Sequence, residues 1–259
     1  MAELFDNDTN RQGLIVYGSV NSSNYGIVVG EPPAFERPTR KQTIFNVPGR
    51  NGSVVFQEDA WEDVTRTYNV WLSENIVEDS GGDKSGYLAQ YVAAFEEALN
   101  SQNGWNMLQD NFEPDVYRLA YYSGGDGFTN ELTQYGRANL RFVCRPERFL
   151  MSGLGGDMFL SAGAHTVVNP TKFVAKPIIT IIVPSPTTVK VAIGTEEITA
   201  EVTDYINIDC ETMNAYRLAV ENMNNKISGV FPTYKPGSNT VTITGTITSV
   251  DIQPRWYVI

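Results

Sequence analysis

His165 is the only histidine in the 259-residue chain, which limits acid–base and metal chemistry from the outset. One chain cannot supply a pair of catalytic histidines or a histidine-rich metal site. A Ser-His-Asp arrangement is arithmetically possible, yet no serine sits in the Gly-x-Ser-x-Gly elbow that exposes a nucleophile. His165, just after Gly163-Ala164, reads as an ordinary loop residue. Gly81-Gly82-Asp83-Lys84-Ser85 approaches a phosphate-binding loop, but Asp83 stands where glycine must precede lysine. A carboxylate there would repel phosphate, so the segment reads as a loop before a helix. Asp204, Asp209 and Glu211 cluster around one strand, as a glycosidase acid pair would. Nothing in their spacing implies a raised pKa, so they read as solvent-facing positions and strand ends. Cys144 and Cys210 are the only cysteines; far apart and without a C-x-x-C spacing, they read as two reduced, buried thiols. No catalytic constellation rises above composition. The chain is read as no enzyme, with no cofactor and no metal.

One row of charge is better organised. Arg137, Arg141 and Arg145 recur every fourth residue in an alternating run, which on a strand puts them on one face about 13 Å apart. Guanidinium forks bind carboxylates bidentately and are common at interfaces. The row therefore reads either as an interface to a neighbouring subunit's carboxylates or as a solvated face paired within its own chain, where exposed pairs contribute little.

Composition narrows the partners. Acids outnumber bases 30 to 19, for a net charge of -11. Gripping DNA or RNA requires cations that displace counterions from phosphates, and an acidic surface does not bind anionic membranes. Hydrophobic residues make up 42% and charged residues 19%, which suits a folded chain rather than a disordered one. Met1–Asp8 is acidic and lacks an apolar core, so no secretory signal is expected. The longest apolar stretch, around Ile178–Val183, is too short to span a bilayer. A soluble product of the cytoplasm is expected.

The elements that must position these residues are mostly strands, because apolar residues recur with period two. Leu14–Tyr17 and Tyr25–Val29 flank the polar turn Asn21–Asn24 and read as a hairpin. A second hairpin breaks at Pro48-Gly49-Arg50-Asn51-Gly52, where Asn-Gly tolerates positive φ. Tyr68, Val70 and Leu72 share a strand face. One helix is expected near residues 86–100, since Leu88, Tyr91, Val92, Phe95 and Leu99 recur at three- and four-residue spacing, with Ser85 as its N-cap and Asn103-Gly104 as its stop. Tyr117–Tyr122 is a strand ended by a turn at Gly124–Gly127. The run from Arg137 to Arg145 ends at Pro146. The glycine-rich Met151–Gly156 marks a domain boundary. Beyond it every strong segment is a strand, with Ile178–Val183 apolar on both faces and so expected mid-sheet. Short strands turning every ten residues or so argue for a sandwich or jelly roll.

Several segments, in order, resemble the distal tail (Dit) protein family of long-tailed siphophages. They are Val47-Pro48-Gly49-Arg50-Asn51-Gly52, Asn169-Pro170 leading to Ala175–Ile181, Ile206–Glu211 running into Ala215-Tyr216, Asn224-Asn225 with Ser228–Pro232, Lys235–Thr240, and Ile252–Tyr257. The resemblance implies a mainly β protein: an N-terminal ring-forming β-sandwich or barrel-like domain with one α-helix (1–150), then a galectin-like β-sandwich, or jelly roll (151–259). It implies a homo-hexameric ring at the distal end of a phage tail in the virion. The ring joins the tail tube protein to a tail-associated lysin or central fibre protein, with the tape measure and receptor-binding proteins as further partners. DNA would be met only in transit through the lumen, and no membrane is involved. Pro48, Gly49, Arg50, Asn51 and Gly52, together with Arg137, Arg141 and Arg145, are the candidate ring-interface residues. The alternative reading is a carbohydrate-binding module for host cell-wall glycan, with its sandwich as the reader. Of Trp61, Trp71, Trp105 and Trp256 only the last lies in that half, and core packing is the expected role of all four.

Overall fold

A computed structural model describes residues 13–72, 84–131, 135–154, 159–218 and 221–259. The chain is mainly β and forms two compact units, residues 1–148 with 259, and 149–258.

In the first unit, β1 (Ile15–Tyr17), β2 (Val20–Asn21), β3 (Ile27–Val29), β6 (Val64–Leu72), β7 (Asn106–Asp110), β8 (Val116–Glu131) and β9 (Tyr135–Leu150) form one sheet in the order β2-β1-β7-β8-β9-β6-β3. The sheet curls until its distant strands meet again: Gly13 and Val29 exchange backbone hydrogen bonds of 3.0 and 2.7 Å. The first two strand segments therefore do not form the hairpin expected from their turn. β1 pairs with β2 and β7, β3 pairs with β6, and Ser22–Tyr25 between them is a 3-10 turn. The concave face takes every second residue of β6 and β9. Tyr68, Val70 and Leu72 are buried, opposite buried Leu140 and Ala138. The helix α1 (Lys84–Ser101) contributes Phe95 and Leu99 to the same core. Ser85 lies inside this helix rather than capping it. Gly104 follows its end at φ +72°.

Two other boundaries differ from expectation. Gly124–Gly127 is no turn but part of the sixteen-residue β8. Gly125 lies so close to β9 that a Cβ would come within 2.0 Å of the Asn139 carbonyl oxygen. Gly125 permits close strand contact, and the segment makes no chain reversal. Pro146 likewise stands within β9, which continues to Leu150.

β4 (Arg40–Phe45) and β5 (Val54–Trp61) form a separate two-stranded sheet.

The second unit holds two sheets around one core. One runs β10 (Phe159–Leu160), β20 (Ser249–Gln253), β12 (Ile178–Ile182), β15 (Tyr205–Asp209), β16 (Asn214–Arg217), β17 (Glu221–Asn222); the other runs β11 (Gly163–Asn169), β19 (Gly237–Thr244), β13 (Thr187–Ile193), β14 (Glu196–Val202), β18 (Ile227–Gly229). The inner faces share a single core of Ile179, Ile181, Val191, Ile198, Ile206, Ile252 and their neighbours, the arrangement of a β-sandwich. β12 does sit mid-sheet, between β20 and β15, but buries only alternate residues; Ile182 is exposed. The chain's last strand, β21 (Tyr257–Val258), follows Trp256, whose carbonyl accepts from the Leu150 amide at 2.7 Å.

Candidate interaction surface

The β4–β5 ribbon has no core of its own. Its register sets Ile44 opposite Val55, Phe45 opposite Val54 and Thr43 opposite Phe56. Cross-strand partners share a face and neighbours along a strand alternate. Ile44 and Val55 therefore lie on one side, Phe45 and Phe56 on the other. These four side chains are at least about half exposed: Ile44 54%, Phe45 53%, Val55 49%, Phe56 60%. Phe45 and Phe56 touch edge to face with ring centroids 5.7 Å apart. The ribbon is apolar on both sides, so laying either side on its own unit would leave the other in water. An isolated two-stranded hairpin is marginal in water. Its tip is the sequence-singled Pro48-Gly49-Arg50-Asn51-Gly52. The Arg50 amide donates to the Val47 carbonyl at 3.2 Å, and Gly49 and Gly52 adopt φ of +78° and +80°, which side chains disfavour. Arg50 makes no ion pair among the described residues.

The arginine row is where the spacing put it. Arg137, Arg141 and Arg145 alternate on β9 with buried Ala138, Leu140, Phe142 and Cys144. Arg141 pairs with exposed Asp126 at 2.9 Å, and Asn139 donates to the same carboxylate at 3.0 Å. The Asn139 and Arg141 contacts hold the Asp126 carboxyl below its usual range. Arg145 lies over the Trp105 ring, 5.3 Å from its centroid, and Trp105 meets Tyr121 edge-on at 5.2 Å. Hairpin tip and arginine row belong to different sheets.

A charged network that the sequence reading missed lies behind this face. Arg66 precedes Tyr68, Val70 and Leu72 on the inward side of β6 and is 3% exposed. Its Nε donates to the Tyr68 hydroxyl at 2.8 Å, its Nη2 to Asp110 Oδ2 at 2.8 Å, and the Tyr68 hydroxyl donates to that same oxygen at 2.6 Å. Burial and the adjoining Asp110 carboxylate push the Tyr68 hydroxyl well up. Glu113 lies 3.1 Å from Arg66 as an ion pair and accepts from Arg118 at 2.7 Å and Arg148 at 3.1 Å. Asp110 Oδ1 also accepts the Phe112 and Glu113 amides, both at 3.0 Å. The available signal was the period-two alternation, which places position 66 inward whatever its charge.

The remaining sequence candidates fall into structural roles. His165 lies on β11 opposite Val241, not in a loop, and its Nε2 is 2.8 Å from the Ser161 carbonyl oxygen. Asp209 is buried rather than solvent-facing; Arg255 binds it at 2.9 Å and reaches Glu211 at 3.2 Å. Asp204 pairs with Arg217 at 2.7 Å, away from that cluster's arginine. Cys144 and Cys210 are free and buried; burial pushes their thiols up to about 11 and about 12, where neither is nucleophilic near neutrality. Among the described residues no group of three or more His, Cys, Asp or Glu could hold a metal ion, and no helix is long and apolar enough to cross a membrane. Lys84 and Ser85 begin α1, while Gly81, Gly82 and Asp83 lie outside the described residues. Of the tryptophans only Trp256 is fully in a core, against Tyr234 at 5.0 Å, so it offers no stacking face for a sugar. Trp105 is 40% exposed, and Trp61 and Trp71 are half-buried.

No family model matches the chain, and no curated protein does. Among solved structures, the crystal structure of the SPP1 Dit protein is similar. It is described as a paradigm of the hub adsorption apparatus in phages that infect Gram-positive bacteria. The match has a TM-score of 0.63 and covers 93% of this chain and 97% of that one, at 12% identity. Similarity at that identity and coverage shows a shared fold across both units.

Proposed function

We propose that this chain is a structural component of a long-tailed phage tail tip. Six copies close a ring through the first domain (1–150), and the galectin-like second domain (151–259) projects from it. The ring connects the tail tube to a central fibre or tail-associated lysin protein, lets DNA pass, and leaves sites for the tape measure and receptor-binding proteins. It works by fit and catalyses nothing.

The observation that carries this reading is the β4–β5 ribbon. Each of its half-exposed apolar side chains would gain about 1 kcal/mol on full burial. With apolar residues on both sides, the ribbon suits insertion between two other surfaces, as in a closed cyclic assembly where each copy reaches onto the next. The tip residues Pro48–Gly52 and the row Arg137, Arg141, Arg145 are then the ring contacts, the arginines meeting carboxylates of the adjoining copy. A net charge of -11 suits a lumen through which DNA slides without sticking; a strongly positive lumen would contradict this.

Light scattering on the full chain checks it. The expected mass is six times 28.7 kDa, with a six-fold annulus in negative stain. A stable monomer at concentrations well above micromolar would overturn the ring.

A further inference from the structure

The first unit holds a cavity at the root of the ribbon. Its volume is about 350 Å³, and Arg37, Arg66, Arg118, Arg145 and Arg148 all line it. Glu36 is the one Asp or Glu in the lining among the described residues, and Ile259, the last residue of the sequence, lines it as well. Asp110 and Glu113 stand behind and are already engaged by Arg66, Arg118 and Arg148. Arg37, Arg66, Arg118 and Arg148 thus converge near Glu36, Asp110 and Glu113 in a protein whose acids outnumber its bases overall. Burial, then the neighbouring Arg66 cation, holds Arg118 below its usual range despite Glu113, whereas Tyr68 and Asp110 hold Arg66 above its own despite burial. Arg37, at the exposed mouth, makes no ion pair among the described residues.

The remaining wall is apolar. Phe35, Pro38, Trp61, Val64 and Pro146 form it, and Phe35 is 62% exposed while its ring carries Arg148 at 4.9 Å. A small inorganic anion would use the guanidinium groups and ignore this collar. A peptide would use both, because its carboxylate suits the planar Arg fork and its chain and methylenes cover the aromatic rim. We propose that this cavity binds an acidic peptide segment of another protein molecule, with a Glu or Asp side chain seated among Arg37, Arg118 and Arg148. The residues that seat the carboxylate, Arg37, Arg118 and Arg148, belong to one chain and are not among the proposed ring contacts.

Calorimetric titration of the full chain at fixed ionic strength tests it, with three probes. They are a capped Ala-Glu-Ala-Glu-Ala peptide, its Gln counterpart, and inorganic phosphate. Saturable binding of the Glu peptide alone is expected. Arg37→Glu, at an exposed position where folding is undisturbed, should weaken it by roughly tenfold or more, the size of one lost charge-assisted contact. Arg37→Lys should recover only part of the binding, since the charge is kept but the bidentate fork is lost. Equal binding of the Gln peptide would show an aromatic groove with no carboxylate preference. Binding of phosphate alone would show an inorganic-anion pocket. Either result, no binding at all, or indifference to Arg37→Glu overturns the proposal, whatever mass the protein has in solution.

Discussion

The β13–β14 and β4–β5 hairpins are both antiparallel ribbons with glycine at positive φ in the turn: Gly194 at +61°, Gly49 and Gly52 at +78° and +80°. In β13–β14 the period-two rule is obeyed on one side only. Val189, Val191, Ile193, Ile198, Ala200 and Val202 are all 2% exposed or less, and the outward positions carry Lys190 and Glu197, paired at 3.0 Å. In β4–β5 apolar residues stand on both sides and are exposed. The first ribbon is explained by its own unit, because the sandwich core accepts its buried side. The second is explained by nothing among the described residues of its own chain. Two faces of exposed Phe, Ile and Val are the mark of an interaction surface, and the contrast separates what the fold requires from what assembly would require.

The largest effect should come from breaking the side of this contrast that the fold explains. Val191→Asp places a carboxylate where Val191 is 0% exposed, with no cation beside it. An unpaired buried charge should cost at least about 4 kcal/mol and abolish cooperative unfolding of the second unit in urea. A loss under about 1 kcal/mol would mean that the sandwich core yields as readily as a surface ribbon.

A smaller effect concerns polar closure of the same unit. Burial pushes the Asp209 carboxyl up, but Arg255 and the Glu211 and Thr212 amides outweigh it and hold it below its usual value. A depressed carboxyl stabilises the fold above its unfolded pKa, about 3.9, and that contribution is lost as pH falls through the lower folded value. Asp209→Asn should cost about 2 kcal/mol near neutrality, the range for hydrogen bonds to a charged partner. It should also flatten the fall of stability below about pH 4. Denaturant titrations at a series of pH values read both, and an unchanged acid limb would remove Asp209 from the account.

Legibility followed the same division. The β character and one helix could be read because burial enforces periodicity. The 86–100 helix stripe and the inward Tyr68, Val70 and Leu72 came from that rule alone. Failures arose where tertiary contact overrode a local signal. Asn21–Asn24 looked like a hairpin turn, yet its flanking strands pair elsewhere in a curled sheet, which turn chemistry cannot report. Gly124–Gly127 looked like a reversal because glycine serves turns and close strand contact equally. Arg66 was overlooked and Asp209 read as solvent-facing because charge was taken to imply solvent, although alternation put Arg66 inward beside Tyr68. Within the candidate surface, the sequence drew attention to the Pro48–Gly52 tip, whereas the apolar residues that give the ribbon its character, Ile44, Phe45, Val55 and Phe56, read only as strand. A strand pattern does not say that its partner surface is missing.

The smallest effect on folding should come from the ribbon, and this sharpens the comparison most. Phe45→Ser with Phe56→Ser removes two rings that touch chiefly each other and water. Their mutual contact is worth about 1 kcal/mol at most, and it stabilises only a local ribbon, not either core. Surface changes away from caps, cores and buried charges usually stay within about 0.5 kcal/mol. Global unfolding of the isolated chain should therefore shift by less than about 1 kcal/mol, while the mass measured by light scattering falls to that of one chain. The two readouts must diverge: the equivalent change on β13, Val191→Ser, should move stability first and assembly only as a consequence. If the Phe pair instead lowers stability as a core residue does, the ribbon is packed against its own unit and its apolar sides need no partner.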